Sequence, residues 1–288
     1  LNDMKKKNNG LLLALPQLLG FLIFYFIPFL ITVWYSVSFG IGKREFVGLE
    51  NFKELFQNKM FLLAVTNTCK YMLVTVPLTL MGALFLAALL QNTLKGVRFF
   101  QLTFLYPLIL PIASVVLGVQ FLWGNHGMWN QILEALGKKG ADWLNTSAAF
   151  WVLCILYFWR FAGYYILIYL ARMQMIPKEY YEYASLFGAN ERATFWHITW
   201  PTLIPTFLFT LVLSVMNAFK CYREAFLLGG NHPDNSIYLL QHFMNNNFQT
   251  LNYQKISAAA VSIVAALLLA AGIAYGVYLI IRRGKTHG

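Results

Sequence analysis

Arg160 stands near the middle of a long apolar stretch, in "LYFWRFAGYYILIYL". A charge at bilayer depth costs about 2.5–3.5 kcal/mol even on translocon scales, so such an arginine is expected to face a cavity or a partner. Two readings stand for it: an interhelical bond to a carbonyl or an acid, and a contact to a transported solute. Trp159, Gly163 and Tyr164 surround it with flat rings beside hydrogen-bonding groups. That combination suits sugar rings and equally suits an aromatic belt at the membrane interface. A second polar group lies in "LSVMNAFKCYREAF", where Ser214 and Asn217 are candidates for contacts to hydroxyls. Lys220, Arg223 and Glu224 follow and share one face at helical spacing. Lys220 and Glu224 either neutralise each other or shape the entrance of a pathway. All these groups bind rather than catalyse. His126, His197, His232, His242 and His287 show no metal spacing. Cys69, Cys154 and Cys221 match no metal or redox pattern and are expected to be small buried hydrophobes. The phosphate-binding pattern G-x-x-x-x-G-K-[ST] is missing, so no catalytic residue, metal or bound cofactor is expected in this chain.

A third concentration of polar residues is "YYEYASLFGANERATFWHITWPTLIP", Tyr180 to Pro205. Pro177 suits the start of a helix, and Glu179 and Glu182 lie near its positive end. Gly188 can adopt a turn conformation that side chains resist, and Asn190 suits the cap of a second short helix, "ERATFWHIT". Two short helices joined by a glycine turn are one reading of this segment. An interfacial loop with its tyrosines and tryptophans at headgroup level is the other.

The elements that position these groups follow from composition. Of 288 residues, 59% are hydrophobic and only 11% charged, and mean hydropathy is +0.57. A soluble domain carries about 25% charged residues, so the chain reads as a membrane protein. The net charge of +11 is scattered between apolar blocks, which argues for membrane orientation signals and against nucleic acid. Apolar runs cover residues 11–39, 71–94, 99–123, 143–171, 193–226 and 256–281. Each can supply the roughly 20 residues that a helix needs to cross the hydrocarbon core, giving six spans. The first is too long for a signal h-region and lacks a small-residue cleavage site, so it is expected to be retained. Pro28, Pro77, Pro107 and Pro111 predict kinks in the spans. Lysine and arginine in the connections favour both termini on the cytoplasmic side, with the segment after span four facing the cytoplasm. The connection after span one, past "GLENF", is expected to carry a surface helix.

The charged segment resembles the coupling motif of importer-type ATP-binding-cassette permeases, E-A-A, three residues, G, nine residues, I-x-L-P. Glu182 stands at its glutamate, Ala184 at its second alanine, Gly188 at its glycine, Ile198 at its isoleucine and Pro201 at its proline. "MQMIPKEYYEYA", "VGLENF" and "LLGGNHPDNSIYLLQHFMNNNF" resemble further segments of the carbohydrate branch, close to the first permease of maltose, glycerol-phosphate and multiple-sugar or raffinose type systems. Tyr183, Phe187 and Trp200 depart from the motif, and Phe187 removes an acid often found before the glycine.

The resemblance implies an all-α polytopic protein of the type I importer fold, with six transmembrane helices and a cytoplasmic coupling helix. It implies a cytoplasmic tail over residues 1–10, a permease domain over 11–282 with its coupling segment at 178–201, and a second tail over 283–288. It implies a bacterial cell-membrane location and four kinds of partner: a second permease, an ATP-binding-cassette ATPase dimer that uses ATP and Mg, an external solute-binding protein, and a carbohydrate. Tyr181, Glu182, Tyr183, Ala184 and Gly188 would couple to the ATPase. Trp159, Arg160, Tyr164, Ser214, Asn217 and Lys220 are the candidates along the solute path, for a sugar of di- or oligosaccharide size. An anionic solute such as glycerol phosphate is the rival within this class, and an ion-coupled secondary transporter the rival outside it.

Overall fold

The computed structural model describes residues 13–40, 43–91 and 97–284. The tail expected over residues 1–10 and the last residues of the second tail lie outside this range. Among the described residues, five helices are long and apolar enough to cross a membrane, and a bent pair makes a sixth if counted as one span. The described residues up to Leu62, with those from Phe243 onward, form one compact unit, and Leu63–His242 form another.

In the first unit, α1 (Leu13–Ser36) packs against α13 (Tyr253–Gly284). Both leave leucine, isoleucine and aromatic side chains uncovered by this chain, as a span bathed in lipid must. α1 contains a π-helical turn at Leu22–Phe26, where the Ile27 N–H reaches back to the Leu22 carbonyl. Pro28 follows and has no N–H for the usual bond four residues back, so the widened turn sits where the ladder is already interrupted. A two-stranded antiparallel hairpin, β1 (Ser38–Phe39) with β2 (Glu45–Phe46), is the small exception to helix among the described elements. The surface helix expected after "GLENF" is α2 (Glu50–Gln57). Its buried Asn51 donates to the carbonyls of Ser36 at 2.9 Å and Ser38 at 3.0 Å, satisfying acceptors that the end of α1 leaves open.

The second unit is reached through α3 (Lys59–Gln91), which begins twelve residues before its apolar run and carries Pro77 inside. The run over 99–123 is not a straight span. It forms α4 (Val97–Ile109) and α5 (Ile112–Trp123), separated by a break at Leu110 and Pro111 across which Thr103–Ile109 and Ile112–Ala135 are bent by 104°. Proline removes a helical donor and pushes the residue before it out of the helical region, which explains why the helix stops there. α6 (Met128–Ala135) then precedes α7 (Ala148–Gln174), the most deeply buried helix of the unit. Gly163 lets the α4 backbone approach so closely that an added Cβ would collide with the Phe104 carbonyl.

After α7 come α8 (Lys178–Leu186), α9 (Glu191–Thr194) and α10 (Trp200–Phe219), with a second π-helical turn at Phe195–Thr199. This turn too is followed, after one intervening residue, by a proline, Pro201. α11 (Tyr222–Gly229), a short 3-10 turn at Asn235–Ile237 and α12 (Leu240–Gln249) complete the elements. Buried hydroxyls bind α7 to α10. Tyr157 donates to the Ser214 carbonyl at 2.8 Å, Tyr169 meets Thr210 at 2.8 Å, and Asn217 donates to Tyr165 at 3.2 Å. Polar atoms away from water need such partners, and here each tyrosine carries its apolar body and a satisfied tip into the same contact.

Candidate functional site

α8 begins directly after Pro177, and Glu179 lies in its first turn, near the positive end of the helix dipole. Its other end is closed by Gly188, at φ +72°. The Gly188 N–H donates to the Ser185 carbonyl at 3.0 Å, and the Ala189 N–H donates to the Ala184 carbonyl at 3.0 Å. This pair of bonds is a Schellman closure, which satisfies the last carbonyls of a helix and fixes the direction in which the chain leaves. Asn190 then starts α9, its side-chain oxygen accepting from the Ala193 N–H at 2.8 Å. The segment is therefore two helices set by a fully bonded turn rather than an irregular loop.

Side chains divide α8 into two faces. The Tyr181 hydroxyl is bonded to Gln91 of α3 at 3.1 Å and to Thr199 at 3.1 Å, which ties the helix to its own chain. Ala184 is half-buried on that side. Glu182, Tyr183, Leu186 and Phe187 turn outward, with Phe187 89% exposed. Aromatic and aliphatic groups presented this openly on a short polar connection form a surface suited to a protein partner.

The second site is a cavity of about 410 Å³ within the Leu63–His242 unit. Four of its lining residues are charged: Arg160, Lys220, Arg223 and Glu224. Asn217 and Gln241 add amides, while Ile112, Phe161 and Tyr222 supply apolar and aromatic faces. Arg160 donates from Nη1 to Glu224 Oε1 at 2.6 Å, a charge-assisted bond between two side chains that are largely buried. The choice between its two readings thus includes the interhelical acid, and the cavity wall as well. Lys220 does not pair with Glu224. α10 ends at Phe219 and α11 restarts at Tyr222, so the one-turn spacing that a continuous helix would give these residues is lost. Lys220 and Arg223 remain exposed.

Residues 11–287 match the family described as "Binding-protein-dependent transport system inner membrane component". The chain belongs to this family. The probable ABC transporter permease protein YurN of Bacillus subtilis (strain 168) is 30% identical over 90% of this chain and 91% of its own length. The sulfoquinovosyl glycerol transport system permease protein SmoG of Agrobacterium fabrum (strain C58 / ATCC 33970) is 31% identical over 85% of this chain and 82% of its own. A chain from the crystal structure of a bacterial alginate ABC transporter, in complex with alginate pentasaccharide-bound periplasmic protein, superposes with a TM-score of 0.81 over 93% of both chains at 21% identity. That likeness carries the fold alone. As a binding-protein-dependent inner membrane component, the chain is a polytopic transport subunit rather than an enzyme.

Among the solute-path candidates, Arg160, Asn217 and Lys220 line the cavity of this family member. Ser214 is fully buried and bonded to Tyr157, so it holds α10 to α7. Trp159 is 47% exposed and outside the cavity lining, and Tyr164 lies against the Tyr165 ring. Gln241 escapes any reading of local spacing, because a connection that returns to the cavity after Gly229 delivers it. Arg223 carried a signal, an arginine beside a glutamate in an otherwise apolar run. Among the described residues no group of three or more His, Cys, Asp or Glu could hold a metal.

Proposed function

We propose that this chain is one permease of an ATP-driven importer that moves a sugar-based solute of di- or oligosaccharide size inward across a bacterial cell membrane by alternating access. The observation that carries the reading is the Schellman-closed helix α8, presented outward between two long spans at the position of the coupling motif. A bonded turn transmits a push, whereas a loose loop absorbs it. Glu182, Tyr183, Leu186 and Phe187 are the surface offered to the ATPase, Gly188 sets the angle, and Tyr181 and Ala184 hold the helix to the membrane part. Both termini and α8 lie on the cytoplasmic side in this reading, in keeping with the lysine and arginine bias. A second permease completes the pathway, an ATPase dimer consumes ATP and Mg, and an external binding protein delivers the solute. The relatives support a sugar-based cargo, since the names of SmoG and the alginate transporter refer to sugar derivatives.

The test is ATP hydrolysis in proteoliposomes holding the whole assembly, with binding protein and a sugar panel outside. Wild type is expected to be stimulated by one sugar. Gly188→Pro, whose fixed φ near −65° is incompatible with +72°, is expected to assemble but lose the stimulation. Transport that follows an ion gradient without ATP would replace this reading with a secondary transporter.

A further inference from the structure

We infer that the solute carries an anionic group, and that Lys220 and Arg223 are the residues that select it; this rests on the importer reading above. Three cations and one carboxylate line the cavity. The carboxylate of Glu224 is already engaged by Arg160 at 2.6 Å. The ion pairs among the described residues are Arg160–Glu224 and Lys53–Glu50, so the charges of Lys220 and Arg223 stand uncompensated at the cavity, a surplus of two. Both are exposed residues that line the cavity.

A neutral sugar has no use for that surplus. Its hydroxyls are served by amides, and Asn217 and Gln241 supply them, while Phe161 and Tyr222 offer faces for a ring. A carboxylate, sulfonate or phosphate on the same ring would take charge-assisted bonds from Lys220 and Arg223, and Arg adds a planar fork suited to two-point contact. The volume of about 410 Å³ lies within the range of pockets that enclose small organic ligands. The break between α10 and α11 is what frees Lys220: a continuous helix would place it one turn from Glu224 and cancel its charge.

The experiment is calorimetric titration of the purified permease–ATPase complex, without binding protein, using trigalacturonate and maltotriose as acidic and neutral probes of equal length. Trigalacturonate is expected to bind more tightly by at least about tenfold. Lys220→Gln and Arg223→Gln are each expected to weaken it by about tenfold and leave maltotriose unchanged, while Lys220→Arg retains the preference. Equal affinity for the two probes, binding of neither, or a preference indifferent to both substitutions overturns the inference. Loss of the second permease from the doubly substituted complex would assign these cations to carboxylates of that subunit. Displacement of trigalacturonate by added phosphatidylglycerol would assign them to a lipid headgroup. In the proteoliposome assay, stimulation by maltotriose as strong as by trigalacturonate defeats only this inference, whereas stimulation by no sugar defeats the importer reading itself.

Discussion

The proposed coupling segment and the cavity are built by opposite means. Each bond that closes the turn after α8 joins residues three or five positions apart, and the cap of α9 reaches three positions. The bond that organises the cavity, Arg160 to Glu224, joins residues 64 positions apart on different helices. A part that must carry motion unchanged is best held together by its own near neighbours, because no other element can shift without it. A part that must bind and then release is best divided among elements whose relative movement remakes it. The same chain thus closes one segment by local bonds and organises the other by long-range pairing.

The sharpest way to break this contrast is at Glu224. Glu224→Gln leaves Arg160 largely buried without a counter-charge, and removing one partner of such a pair typically costs about 3–5 kcal/mol. Thermal unfolding of the purified complex is expected to fall strongly. The double substitution Arg160→Met with Glu224→Leu should recover most of the loss, since apolar residues of similar volume replace a buried pair at little net cost. Recovery of nothing would mean that the two residues act separately.

A smaller effect is expected from pH, through His242. It is fully buried between the rings of Tyr222 and Tyr238, next in sequence to Gln241 of the cavity. Its Nδ1 accepts from the Leu239 N–H at 3.1 Å, which requires that nitrogen to be unprotonated. Burial pushes its pKa down from 6.5 to about 4. The unfolded chain therefore binds a proton that the folded chain refuses between those values. Stability is fully present above about pH 6.5 and falls as pH drops toward 4, by about 2 kcal/mol at pH 5. Unfolding measured from pH 7.5 to 5 should show this slope, and His242→Phe should flatten it.

These two regions were not equally legible in the sequence. Gly188, Asn190 and Pro177 announce their roles because a positive φ, an N-cap and a helix start are properties of single residues and their nearest neighbours. Arg160 announced only that it needed a partner. Helical spacing points from Glu224 to Lys220, but the helix is interrupted at Lys220–Cys221 between α10 and α11, and Glu224 pairs with Arg160 instead. Hydropathy locates the run over 99–123 and Pro111 marks a kink in it, but neither gives the 104° size of the bend, because an apolar run reports burial or lipid contact and not direction. Ser214 stands out in the sequence as a hydrogen-bonding group in an apolar span, yet that it meets Tyr157 depends on a helix elsewhere in the chain.

Within the coupling segment the expected effects are smaller and fall on function more than on unfolding. Gly188→Val forces a β-branched residue into the left-handed region, at roughly 1–2 kcal/mol, and should lower stimulated ATP hydrolysis while the unfolding temperature of the complex stays near that of wild type.

The finest test separates the two ends of the turn. Asn190→Ala removes the cap of α9 and costs about 1 kcal/mol, leaving Gly188 and the closure of α8 untouched. If the exit angle of α8 is what transmits the push, α9 frays but stimulation by solute persists nearly unchanged. If both helices act as one body, stimulation falls as it does for Gly188→Val. Tyr181→Phe supplies the complementary case: it keeps the turn and removes the hydroxyl bonded to Gln91 and Thr199, which fasten α8 to the rest of the permease. Stronger loss of stimulation with Tyr181→Phe than with Asn190→Ala would place the path of force through α3 and the π-helical turn rather than through α9. The reverse order would place it through α9 into α10. In either case the comparison rests on the ratio of stimulated to basal hydrolysis, which a general loss of folded complex lowers in both terms alike.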